Sequence, residues 1–224
     1  VQKLLPPQFG VKLHKRYAIV GVCMIRFENL RPNFLPPVFG FSSENVAHRF
    51  AVTWEENGVQ KEGVYIPRRD SNSILNRTLG GRVFPGFHHK SEFSSTENSD
   101  EIHILISSED GLVTEFKGQV SEGVMEGSVF ETVDEASAFF LAGATGYSAT
   151  RSEGHYHGME LETYEWVFEP MSVEVAKSHF FDDLSRFPKE SIALDSAFVM
   201  RNVEHQWNSR PDLFVGEQGL LQTR

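Results

Sequence analysis

A mostly antiparallel β fold of the α+β class follows from three features of the sequence. It has several separate β-rich runs, an Asn-Gly turn between two of them, and one well-capped helix. The apolar, β-rich run Tyr17–Phe27 gives the first strand. Arg49–Trp54 places Phe50, Val52 and Trp54 on one face, and Lys61–Ile66 returns with Val64 and Ile66. Between them lies Glu55-Glu56-Asn57-Gly58; Asn-Gly favours a tight hairpin turn because both residues tolerate positive φ. Ile102–Ser107, Leu112–Val120, Leu161–Phe168 and Ile192–Val203 read as further strands.

The clear helix runs from Thr132 to Gly143, with Thr132 as N-cap and Glu135 at the capping-box position. Ala136, Phe139 and Phe140 follow at helical spacing, and Gly143 stops the run. A second, short helix is expected over Asp70–Leu79, capped by Asp70 or Ser71. Asn29–Gly40 and Phe93–Glu101 read as loops. No repeat or flexible linker divides the chain, so a single domain is expected over residues 1–207. A C-terminal tail follows over 208–224, weakly ordered from Pro211.

The 224 residues carry 21 basic and 31 acidic side chains, a net charge of −10. Nucleic acid and anionic membranes require a concentrated basic face, so neither is expected as a partner. The single cysteine, Cys23, excludes an intrachain disulfide and a cysteine-rich zinc site. It lies in the apolar run Ala18–Ile25 and reads as a small buried hydrophobe. No apolar run approaches the roughly 18–20 residues of a membrane span, and no signal-peptide pattern is present. A cytoplasmic location is the expectation.

The order of motifs resembles the acetoacetate-decarboxylase-like superfamily, most nearly its uncharacterised branch. The motifs are Ile25-Arg26-Phe27-Glu28, then Glu44 in a polar loop, then a hairpin ending Glu62-Gly63-Val64-Tyr65, then Gly81-Arg82 leading to Lys90. Ala136–Leu141 and Trp166-Val167-Phe168-Glu169-Pro170 also fit. The resemblance spans residues 1–207 and implies an antiparallel β-barrel or cone around a central, largely apolar cavity. Decarboxylating members hold a lysine that forms a Schiff base with a β-keto acid. The protonated imine accepts the electrons released with carbon dioxide, and an apolar site keeps the amine neutral for attack.

Aligned on Gly81-Arg82, Phe87 stands at the family's tyrosine, His88 at its proline, His89 at the nucleophilic lysine and Lys90 at the second lysine. In this reading Lys90 is the imine former or an electrostatic group, and His89 its neighbour or a general base. Glu28 and Glu44 match cavity carboxylates and would handle protons, while Arg82 would clamp a carboxylate with Phe87 and His88 beside it. The resemblance implies a small carbonyl or carboxylate ligand, lyase chemistry, no cofactor and a homo-oligomer. The alternative is a non-catalytic small-molecule binding protein that has lost the Schiff-base lysine. Adjacent strand residues face opposite ways, so a cavity-facing Lys90 would turn His89 away.

His155 and His157 would share one face of a strand, a spacing that metal sites use, with His89 or Glu153 as a third ligand. Gly154 and Gly158 flank them and mark a loop, so exposed loop histidines and no metal are expected. No nucleophile-elbow motif occurs. Phe180, Phe181 and Phe187 read as core.

Overall fold

The computed structural model describes residues 1–31, 34, 36–73, 85–216 and 221–223. The strands are β1 (Gly10–Val11), β2 (Leu13–His14), β3 (Tyr17–Ala18), β4 (Val20–Leu30), β5 (Phe41–Glu56), β6 (Val59–Ser71), β7 (His88–Glu97), β8 (Glu101–Ser108) and β9 (Val113–Val120). Helix α1 (Val133–Ala142) follows, then β10 (Thr145–Ala149), β11 (His155–Thr163), β12 (Glu169–Ser178), β13 (Ala197–Val199), β14 (His205–Val215) and β15 (Leu221–Thr223). Thirteen strands form one mixed sheet, and β2 and β3 make a separate hairpin. Most pairings are antiparallel; β6 with β10, β6 with β7, and β15 with β5 are parallel. Among the described residues no helix is long and apolar enough to cross a membrane.

The β5–β6 hairpin organises the molecule, and Asn57 (φ 52°) and Gly58 (φ 78°) make the expected turn. Its lower half carries the core: Phe50, Val52, Trp54 and Tyr65 pack with Phe9, Tyr147, Tyr156 and Leu213. Phe180, Phe181 and Phe187 close the same cluster, as their sequence suggests. In α1 the Thr132 side chain accepts from the Glu135 amide at 3.1 Å, while the Glu135 carboxylate accepts from the Glu131 amide. Gly143 ends the helix at φ −90°, so it acts as a stop without the left-handed conformation.

Several segments depart from expectation, each for a tertiary reason. Asp70 and Ser71 belong to β6, because their backbones pair with Val46 and Asn45 across the sheet; the expected helix beyond them, over 74–79, lies outside the described residues. The loop expected over Phe93–Glu101 is mostly strand, and the turn shrinks to Asn98–Asp100, where Asn98 Oδ1 accepts from the amides of Asp100 and Glu101.

The strand expected over Leu161–Phe168 ends at Thr163, and of Ile192–Val203 only Ala197–Val199 is strand. Their apolar residues serve ring packing instead: Phe168 stacks on Phe198 at 4.9 Å, and both approach Phe140 of α1. The expected tail is also ordered sheet. The boundary at 207/208 falls inside β14, and Leu213 and Leu221 are buried because β14 and β15 pair within the main sheet.

Candidate functional site

At the upper end of β5 and β6, alternation sends neighbouring side chains to opposite faces of the sheet. Arg68 and Arg69 adjoin in sequence and part company there. The register pairs His48 with Arg68, Val46 with Asp70, Ala47 with Arg69 and Asn45 with Ser71. On β7 the parallel register sets His88 beside Arg69, His89 beside Asp70 and Lys90 beside Ser71.

The Asp70 face is a satisfied polar core. Asp70 is 1 % exposed and accepts hydrogen bonds from Arg68 (2.7 and 3.0 Å), Ser108 (2.7 Å) and Ser91 (3.2 Å). Arg68 also donates two bonds to Asp110, at 2.6 and 3.0 Å. Burial opposes the Arg68 charge, but its bonds to Asp110 and Asp70 outweigh that and hold its pKa above the usual value. The same guanidinium pulls the Asp110 pKa down to about 2.

His48 is fully buried against the Phe180 ring, 4.5 Å away, and burial pushes its pKa down to about 4. Ser178, His48 and Asp70 follow one another like a nucleophilic triad. The His48–Asp70 separation of 3.8 Å is too long for a hydrogen bond, and the Ser178–His48 contact is 3.4 Å between buried groups. With Asp70 already committed to Arg68 and two serines, this is a structural network.

The opposite face holds a narrow cavity of about 20 Å³, lined by Cys23, Ile25, Asn45, Arg69, His88 and Trp207 among others. Space of that order accommodates about one water molecule. Arg69 is 9 % exposed there, and its Nε is buried without a hydrogen-bond partner. The Nε of Arg49, on β5, is buried and unpartnered as well. Burial first, then the charge of Arg49, pushes the Arg69 pKa down to about 9, which still leaves it protonated at neutral pH. Asp70 also borders the cavity, but its carboxylate is bound to Arg68, Ser91 and Ser108; two cations near one another are costly, so the arrangement favours an anion.

Gly86 shapes the approach to this face. Its φ is 94°, and a Cβ there would stand 2.8 Å from that of Ser148, with Arg69 Nε 3.7 Å off. Only glycine fits both constraints.

The residues singled out in the sequence divide between the two faces. Lys90 is exposed and shares the cavity face with Arg69, Ser71 and His88 by register. His88 lines the cavity. His89 turns to the other face, with Nδ1 3.6 Å from Asp110, and so is not a cavity neighbour of Lys90. Phe87 is half exposed at the entrance to β7, and Arg82 lies outside the described residues.

Glu28 and Glu44 do not join Lys90. They line an open cleft of about 440 Å³ with Arg26, Asn29, Ser42 and Asn72. Arg26 pairs in register with Glu44, on the face opposite Ile25 and Asn45. Glu44 accepts from Arg26 and Asn72 at 3.3 Å each, and Arg26 also binds Glu97. Sequence reasoning missed Arg69 and Arg49. A signal existed for the contrast: only Arg68 has an acid two residues on, at Asp70, on its own strand face.

His155 and His157 lie on β11, so they are strand residues and not the loop histidines expected. Both contact Asp212, while His89 and Glu153 take no part.

The fold defines a β-rich protein with one α-helix among its described residues and a mixed sheet whose upper end encloses an arginine-lined cavity. In fold alone the chain is similar to a solved acetoacetate decarboxylase from Legionella pneumophila, with a TM-score of 0.50 and 13 % identity over 91 % of this chain and 73 % of that one. The chain therefore has an acetoacetate-decarboxylase-like fold. No family model matches the sequence, and no curated protein matches it.

Proposed function

We propose that the protein binds a small carboxylate, of the keto-acid kind, within a barrel-like enclosure, with Arg69 and Arg49 as its anion anchor. The observation that carries this reading is Arg69, whose Nε is buried without a hydrogen-bond partner beside a cavity whose one acidic lining residue, Asp70, is already bound to Arg68, Ser91 and Ser108. A guanidinium matches a carboxylate with two parallel hydrogen bonds, which removes the cost of leaving it bare. Asn45 and His88 supply further polar contacts, and Ile25 and Trp207 an apolar wall. With room for about one water, the ligand enters by displacing the wall.

Lys90 supports the lyase form of this reading, because its strand register aims it to the arginine face. A neutral Lys90 amine would add to the ligand's ketone, lose water to form the imine, and leave the carboxylate on Arg69. The exposure of Lys90 favours the non-catalytic alternative, since an imine-forming amine is expected in an enclosed, apolar site and this one faces solvent.

The test is a thermal-shift and calorimetric titration with pyruvate and acetoacetate, followed by borohydride trapping and peptide mapping. Saturable binding lost by at least tenfold in Arg69→Met supports the carboxylate site, and binding indifferent to that change overturns it. A stoichiometric adduct on Lys90 assigns the lyase chemistry. Binding without an adduct assigns the binding protein.

A further inference from the structure

Away from the arginine cavity, β11 and β14 bring three metal-ligating side chains to one spot. In their register Tyr156 pairs with Leu213 and Gly158 with Arg210, so two steps along β11 match three along β14. The extra residue is a bulge that sets both Pro211 and Asp212 against His157. Proline suits that position because it has no amide to offer the ladder, and its carbonyl accepts from Tyr147 Oη at 3.2 Å. The bulge turns Asp212 to the face of the two histidines. Its Oδ2 lies 2.9 Å from His155 Nε2 and 2.9 Å from His157 Nδ1.

Three ligand atoms, one from each residue, stand within 4.8 Å of one another. Ligands on a tetrahedral ion with bonds of about 2.0–2.1 Å stand roughly 3.3 Å apart, so small side-chain shifts admit the ion. The His155 ring is held by stacking on Phe214, 4.2 Å between centroids, and one carboxylate oxygen faces both imidazoles. All three residues are partly buried, with side-chain exposures of 20 to 32 %, so water reaches them and an ion has an entry path.

We infer that His155, His157 and Asp212 form a binding site for a divalent transition-metal ion of the zinc class. Two imidazoles and one carboxylate suit zinc rather than calcium or magnesium, which prefer all-oxygen sets. Three protein ligands leave a fourth position for water.

The full chain, stripped with chelator and dialysed, is titrated with zinc sulfate against a chromophoric zinc indicator; cobalt(II) is added separately as a spectroscopic probe. The expected result is one equivalent of zinc, with cobalt giving the intense visible bands of tetrahedral coordination. Asp212→Asn and His157→Gln should each weaken zinc at least tenfold. His103→Gln, which removes a partly exposed histidine of β8 paired with Glu115 of β9, should change nothing. Melting temperatures of the metal-free variants are compared, and His155→Gln replaces any variant that fails to fold. No stoichiometric zinc, or zinc weakened equally by His103→Gln, overturns the site.

Discussion

Arg68 and Arg69 occupy successive positions on one strand and meet opposite fates. Arg68 is surrounded by Asp70 and Asp110 and makes five hydrogen bonds to them. Arg69 lines a cavity with Arg49 as its charged neighbour and its own Nε unpartnered, while the one acidic residue of that lining, Asp70, is taken by Arg68. A paired buried charge holds a structure in register, whereas an unpaired one is a standing cost to the fold that a ligand relieves. One face of the sheet is therefore structural, and the other is the face proposed to hold a ligand.

The largest effect should come from breaking the paired face. Asp70→Ala takes three hydrogen bonds from the buried Arg68 guanidinium, leaving it Asp110 alone, and removes an acceptor from Ser91 and Ser108; it should destabilise the protein by about 3–4 kcal/mol, read by urea denaturation. An unchanged midpoint would contradict the structural role of that network.

Acid should act on the same face through His48. Its pKa in the folded protein, about 4, lies below the ordinary 6.5, so the unfolded chain binds the proton first. This contribution to stability is fully present above pH 6.5 and is lost as pH falls toward 4, by about 3 kcal/mol in all. His48→Gln should flatten that part of the stability profile. A wild-type profile already flat between pH 6.5 and 4 would place His48 in water.

The smallest stability change should come from the unpaired face, with the opposite sign. Arg69→Met removes a bare cation while keeping much of its volume, and should leave stability equal or raise it by about 1 kcal/mol. The same variant should abolish carboxylate binding. A loss as large as that of Asp70→Ala would show that Arg69 is structural after all.

Much of this protein was legible in its residues. The Asn57-Gly58 turn, the Thr132 cap and the alternation of Phe50, Val52 and Trp54 are local devices, encoded within a few positions and preserved in the fold. The opposed facing of His89 and Lys90 also followed from strand alternation once β7 was paired. The aromatic runs near Phe168 and Phe198 misled, because apolar residues promise burial without saying whether a ladder or a ring stack provides it.

The sequence by itself determined a β-rich chain, its main hairpin and its one clear helix, since turn chemistry and capping act between near neighbours. Only the tertiary structure decided which charges meet. Arg68 reaches Asp110 from 42 residues away, and Asp212 reaches His155 from 57. Such pairings depend on strand order and on bulges, and a one-residue slip in register reverses the face of every side chain that follows.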